Sequence, residues 1–453
     1  ASAANVYNVA VGYAAGAAIT TGTVNTLIGA LAGDSLTDAD NNVAVGGGAL
    51  ITDTLGSKSV AIGTDALSAQ NFTTATDSLN TAVGHRAGVA VTTGIQNTLI
   101  GSLAGDALTD ADFNVAVGHT SLGSDTLGSK SVALGGYTLA NQNFTTATDS
   151  LNVAVGHLAG FQVTTGIQNT LIGALAGDAT TGGGSNVAVG YVSLSEDRLG
   201  SFSTAIGHQA LANQNFTTAT NAFNVAVGHN AGVVVTTGTQ NVLIGSLAGK
   251  NLGAGANNVI VGHTAGGHSV GLATGAQNVI LGNFTDTTAA NTTNANVLGF
   301  DVSGAAGFTT LGNGTADIRA QHGIITWATV SDERYKKDIV DSTAGLSLIN
   351  ALRPRTFKYK TLGELPETFR VYKAESTEVF KNTQTNHGFI AQEIKAALDA
   401  DDSIKDGFRL WDERDDGSQE VAEAALIPVL VKAIQEQSAL ITALTARITT
   451  LEG

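Results

Sequence analysis

The chain has 453 residues with no cysteine, no methionine, 3 prolines and 56 glycines, and a formal net charge of −16. Hydrophobic residues at 43% make it too apolar for disorder, and glycine lacks the every-third-residue period of collagen; without cysteine neither disulfides nor thiolate metal sites are available. No run of about 18 or more apolar residues occurs, so no membrane insertion is expected, and Ala1 does not open a basic-then-apolar leader. Residues 1–318 hold 5 Lys/Arg against 17 Asp/Glu, and residues 319–453 hold 17 against 21. The sparse acidic charge of the first part argues against nucleic acid or anionic lipid as a partner.

Sixteen segments of the form N-x-A-V-G set the organisation of that first part. Their glycines run from Gly12, Gly29, Gly46, Gly63 and Gly84 to Gly282, in steps of 17, 17, 17 and 21 that repeat until a final step of 20. A period this short predicts a solenoid whose coils pack only on their neighbours. Before each glycine stands a branched aliphatic residue (Val11, Ile28, Val45, Ile62), and one position earlier another apolar one (Ala10, Leu27, Ala44, Ala61). Successive strand residues point to opposite faces, so both faces are apolar and both call for cover. One face fills the coil; the other needs a neighbour, and a second copy of the chain is the expected one. The marker glycine predicts a positive φ or a close backbone approach at a corner.

Four residues before the glycine stands Asn8, Asn25, Asn42, Asn80, Asn97 or Asn114, with Ser59, Ser131 and Ser203 in the fourth coil of each 72-residue unit. A stacked structural ladder is the plainer reading, and a row of sugar-binding amides the alternative. Four residues after the glycine, Gly16, Gly33, Leu50 and Leu67 begin a paired alternation. The longer coil carries an insert marked by Phe72, Phe144 and Phe216, expected to bulge on one side. His85, His157 and His229 follow marker glycines 72 residues apart, and His119, His208 and His263 follow others; a surface ladder outweighs a threefold metal site. Asp38/Asp40 and Asp110/Asp112 are the weak candidates for calcium, set against turn-forming aspartate. No metal and no cofactor is expected, and no pair of carboxylates stands out as glycosidase machinery.

These glycine-marked repeats resemble the β-roll heads of trimeric adhesins and the repeat shafts of phage tail fibres. The resemblance covers roughly residues 5–300. It implies a shaft over 1–300, here followed by a connector over 301–330.

From about residue 319 charge becomes dense. S-D-E-R-Y-K-K-D-I (331–339), L-R-P-R-T-F-K-Y-K (352–360) and H-G-F-I-A-Q-E-I (387–394) follow in order. The three blocks resemble the intramolecular chaperone domain of phage endosialidases, tailspikes and tail fibres. That resemblance implies a homotrimer whose C-terminal domain, here 331–420, assists folding of the upstream fibre and then cuts itself free. It also implies a catalytic serine with a lysine five residues on, here Ser331 and Lys336, and a cut between Val330 and Ser331. Asp332, Arg334, His387, Gln392 and Glu393 carry the remaining signature, His387 in a structural or interface role. Read alone, Ser331-Asp332 is a helix-start signal. A serine hydroxyl needs a base, and a desolvated lysine supplies one.

Residues 421–453 read as a coiled-coil helix starting near Pro428, with Ile427, Ile434, Ile441 and Ile448 at a and Leu430, Gln437, Leu444 and Leu451 at d. Ile at a with Leu at d leans to two strands, whereas the resemblance implies three. The expected fold is mainly β: a repetitive trimeric β-solenoid or β-roll shaft, a small α/β chaperone domain and a C-terminal coiled-coil helix. The expected function is a phage tail fibre or tailspike, made in the host cytoplasm and displayed on the virion. Its partners would be other tail proteins and a host-surface glycan or protein receptor. A bacterial trimeric adhesin and a tailspike depolymerase are the alternatives.

Overall fold

The computed structural model describes residues 6–452 apart from 315, 325, 330, 402–403 and 405–409. The chain is mainly β and divides into two compact units, Ala1–Val330 and Ser331–Gly453.

The first unit is a β-solenoid. Each N-x-A-V-G segment forms a three-residue strand paired in parallel and in register with the next, as in Val43↔Val60, Ala44↔Ala61 and Val45↔Ile62. The ladder continues past the sixteenth marker glycine through Asn296–Phe300 and Phe308–Asn313, giving 18 rungs, and Ala316–Gln321 closes it antiparallel. At about 4.8 Å per rung the ladder rises roughly 80 Å.

Marker glycines have φ between 126° and 144° from Gly12 to Gly282. Each lies so close to the next marker's carbonyl that a Cβ at Gly173 would sit 2.5 Å from the Gly190 oxygen. The middle strand residue points inward, and Leu27, Ala44, Ala61, Ala82 and Leu99 are fully buried. This explains the paired alternation four residues after the marker. Where the strand supplies leucine, the later position is glycine: a Cβ on Gly33 would meet Leu27 Cδ2 at 2.9 Å. Where the strand supplies alanine, Leu50 or Leu67 fills the space instead. The fifth coil has Ala82 and Gly88, and Leu67 and Leu99 of the flanking coils close on that glycine. Leu50 and Leu67 hold left-handed backbone at φ 52° and 49°. That conformation costs about 1–2 kcal/mol, which burial of the side chain, worth about 1.5–3 kcal/mol, offsets.

The asparagines are buried. Asn25 donates to the Ala39 carbonyl of its own coil (2.7 Å) and accepts from the Asn42 backbone N–H of the next (2.9 Å). Their amides are spent inside the coil, which rules out the sugar-binding row. Where Ser59 replaces asparagine, Gln70 enters the interior and donates to Ser59 Oγ (3.2 Å) and to Asp53 Oδ2 (2.6 Å), while accepting from Asn80 (2.9 Å). The insert does bulge, through exposed Thr73–Ala75, but Phe72 turns inward and is 6% exposed.

Outside, the residue preceding the marker is half-buried where it is valine or leucine in the middle coils and exposed where it is isoleucine. Ile28, Ile62, Ile100, Ile172, Ile206 and Ile244 form an aliphatic stripe, each 38–40% exposed. On the flank, burial pushes the Asp178 carboxyl up to about 6 from 3.8; its own backbone N–H opposes this and the Glu196 carboxylate adds to it. Its Oδ1 has no hydrogen-bond partner. The folded state therefore binds this proton more tightly than the unfolded chain. Stability is depressed above about 6 and recovers as pH falls towards 3.8. Asp178→Asn is expected to stabilise the chain by about 1 kcal/mol at pH 8, discounted for solvent screening, and to change little at pH 3.5. Thermal unfolding at the two pH values checks it.

In the second unit, α1 (Leu346–Ala351), α2 (Ala391–Asp399) and the start of α3 (Leu426–Glu452) enclose a small core. Leu348, Ile394, Leu398, Leu410, Leu426 and Val429 are buried in it. Strands Arg355–Phe357 and Asn386–Gly388 pair antiparallel, as do Trp411–Glu413 and Gln419–Val421. Glu436 of α3 accepts from the Leu346 backbone N–H at 2.8 Å, satisfying an orphan donor at the start of α1. Beyond Ala433 the helix buries nothing, and Ile434, Ile441, Leu444 and Ile448 are exposed.

One boundary differs from expectation. The helix starts at Leu426, because Pro428 is accommodated in its first turn. A second difference concerns hydropathy. By length and composition the helix over Glu423–Glu452 is apolar enough to cross a membrane, although no unbroken apolar run exists. Its apolar residues sit in heptad register, with Lys432, Glu436 and Arg447 between them, which is the pattern of a packing seam.

Candidate functional site

The site is built on one short turn. Glu333–Tyr335 form a 3-10 turn whose cap is Asp332; the Asp332 side chain accepts from the Arg334 backbone N–H at 2.9 Å. Lys336 closes the turn by donating its N–H to the Glu333 carbonyl at 2.9 Å. That single turn brings residues five apart together, and Lys336 Nζ donates to Ser331 Oγ at 2.7 Å. The helix-start reading of Ser331-Asp332 and the paired reading are thus both present. Asp332 performs the capping, which leaves the serine hydroxyl for the lysine. Arg334 grips the Asp332 carboxylate through Nε (3.0 Å) and Nη2 (2.6 Å), holding that carboxyl below its usual range. Ser331 and Lys336 are both exposed in the single chain. Val330 lies outside the described residues.

The second signature block forms a separate cluster. Arg355, on its strand, donates through Nε to Glu393 Oε2 at 2.9 Å and pairs with Oε1 through Nη2, while Arg353 Nη1 lies 3.6 Å from Oε1. These guanidinium contacts, Arg355 first, keep the Glu393 carboxyl below its ordinary range. His387 is exposed and lies opposite Thr356 in the hairpin; Gln392 is exposed on α2. Among the described residues no hydrogen bond or ion pair joins Ser331 or Lys336 to His387, Gln392 or Glu393. Arg353 and Arg355 were not singled out by sequence reasoning. The available signal was a basic pair in one block and a lone acid in the next.

The solenoid candidates have other occupations. Asp40 Oδ1 accepts from the Thr23 backbone N–H (2.6 Å) and Oγ1 (2.8 Å), and Asp112 Oδ1 from the Ile95 N–H (2.8 Å). Asp38 and Asp110 accept from Thr21 and Thr93 of the preceding coil. All four act as rung-to-rung links. Among the described residues no group of three or more potential ligands could hold a metal. Of the six histidines named above, five take part in ring contacts, among them His119 with Tyr137 at 5.1 Å between centroids and His208 with His229 at 5.2 Å.

Residues 331–402 match the family model described as chaperone of endosialidase. Comparison with curated proteins and with solved structures finds no match. The family match begins at the serine that Lys336 holds and ends beyond the third sequence block. The chain is therefore a β-solenoid followed by an endosialidase-type intramolecular chaperone segment and a long C-terminal helix.

Proposed function

We propose that this chain is a homotrimeric phage tail fibre or tailspike protein, a virion component made in the host cytoplasm and displayed outside it. In this reading the solenoid is the shaft and receptor-contacting part. The C-terminal segment aligns three chains, assists their folding and is then released by self-cleavage. The observation that carries the reading is the 2.7 Å contact between Lys336 Nζ and Ser331 Oγ at the first residue of the chaperone match.

The chemistry balances within the chain. Unprotonated Lys336 takes the hydroxyl proton, and Ser331 Oγ attacks the Val330 carbonyl carbon. The Val330–Ser331 amide bond breaks, and the departing amine, now the α-amine of Ser331, recovers the proton from Lys336. Water then hydrolyses the ester, leaving a Val330 carboxylate and free Ser331 hydroxyl. The trimer is supported by two uncovered seams: the aliphatic stripe of the solenoid and the heptad face of α3. Exposed apolar strips this long are expected to be covered by a partner.

Expressing the full chain and its Ser331→Ala variant, then weighing the products, tests the proposal. The parent is expected to give two fragments divided before Ser331, and the variant one full-length trimer. Identical full-length products from both overturn self-cleavage; a monomer by native mass overturns the trimer.

A further inference from the structure

One residue before the buried asparagine ladder, the solenoid carries another row of side chains. Gln168, Ser185, Phe202, Phe223, Gln240 and Asn257 stand there on consecutive rungs, each five residues before a marker glycine and each left-handed, with φ between 50° and 61°. All but the half-buried Ser185 are exposed. Phe202 and Phe223 stack, with ring centroids 5.3 Å apart and planes inclined by 18°. At 46% and 49% exposure neither ring fills the core. On one side Ser185 Oγ donates to Gln168 Oε1 at 3.3 Å. On the other, the side-chain amides of Gln240 and Asn257 make no hydrogen bond among the described residues.

The two preceding 72-residue units hold something different at this place. There Lys58 pairs with Asp77 and Lys130 with Asp149, beside Leu79 and Leu151. In the third unit Phe202, Asn221 and Phe223 stand instead of lysine, aspartate and leucine. Both charges are gone together and two rings have come in. The same backbone carries either set, so the scaffold does not call for the rings. From Leu199 to Gly249 the chain contains no Asp, Glu, Lys or Arg.

We propose that Phe202 and Phe223, with the flanking amides, form a binding platform for an uncharged glycan. The C–H face of a pyranose ring is apolar and packs against an aromatic ring, while its hydroxyls need both donors and acceptors. Each free carboxamide supplies both. The missing charge selects the ligand class: an anionic polymer would meet no cation here, and a charged peptide no counter-charge. Rungs about 4.8 Å apart set rings and amides in one line along the solenoid, so that a linear chain can touch several in turn. The inference rests on the reading of the solenoid as the receptor-contacting part, and gives that contact a place and a ligand class.

The test compares the full chain carrying Ser331→Ala with the same chain further carrying Phe202→Lys, Asn221→Asp and Phe223→Leu. That reversal rebuilds an ion pair which the scaffold already holds twice, and thermal unfolding is expected to be unchanged. Both chains are applied to an array of purified bacterial surface polysaccharides, some uncharged and some bearing uronic acids. The parent is expected to retain uncharged members, and the reversal to lower that retention about tenfold, the scale of a lost aromatic contact. Lys130→Phe, Asp149→Asn and Leu151→Phe, added to the parent, should raise retention by supplying a second platform on the same rod. Retention of charged members only, or retention indifferent to the reversal, overturns this site and leaves a receptor-contacting shaft standing. Loss of association between shafts on reversal, seen by light scattering without any retained glycan, assigns the rings to self-contact and likewise overturns the site. Retention of no polysaccharide by either chain overturns the site and any glycan contact of the shaft together; the trimer and its self-cleavage, read by mass, do not depend on that outcome.

Discussion

Gly173→Ala is expected to abolish the intact shaft, lowering stability by about 3 kcal/mol or more. The backbone there has φ +134°, and the new Cβ would lie 2.5 Å from the Gly190 carbonyl oxygen and 2.6 Å from its carbon. Both obstacles are main chain, so no side-chain rotation relieves them. Separating the rungs would break the register of Thr170–Ile172 with Val187–Val189. Because solenoid coils stabilise only their neighbours, a broken rung in the middle divides the ladder into two shorter ones. Gly307→Asn is the control: its φ is +74° and nothing lies within 4 Å of a Cβ, and asparagine tolerates left-handed backbone. Limited proteolysis with mass mapping should find a new cut near residue 173 in the first variant only. A Gly173→Ala chain as protease-resistant as the parent would mean that the rungs are not held at this spacing.

Much of this architecture was legible because a solenoid writes its geometry into period and residue size. The marker glycines announced a corner that no side chain can enter, and the asparagines announced a ladder. What escaped was compensation between neighbouring coils. Gln70 supplies the amide that Ser59 lacks, from eleven residues later in the chain, and the Leu67–Gly88–Leu99 fit spans three coils. Neither follows from a single repeat taken alone. The seventeenth rung also escaped, although Gly299 keeps the 17-residue step, because Ala295 stands where the asparagine should be. There the asparagine series ends, though the strands go on: the Ala295 N–H still donates to Asn278, but alanine offers nothing onward. In the chaperone segment, the spacing of Ser331 and Lys336 was readable while its cause was not. A 3-10 turn, capped by Asp332 and clamped by Arg334, is what makes five residues the right separation.

Lys336→Arg is expected to stop the self-cleavage as completely as Ser331→Ala, and it separates two roles that alanine would remove together. The contact of Lys336 Nζ with Ser331 Oγ at 2.7 Å fits a base that receives the hydroxyl proton, and equally a cation that merely steadies developing negative charge. Arginine keeps the charge and the hydrogen-bond donors, but its guanidinium does not give up a proton in proteins. Removing a general base typically costs about 10²–10⁴ in rate, so full-length trimer should accumulate over the period in which the parent is fully cut. Parent-like cutting by Lys336→Arg would assign the lysine to charge stabilisation and leave the serine in need of another base. Asp332 cannot take that place while both of its oxygens are held by Arg334. The proton would then have to pass to water or to a group brought by a neighbouring chain.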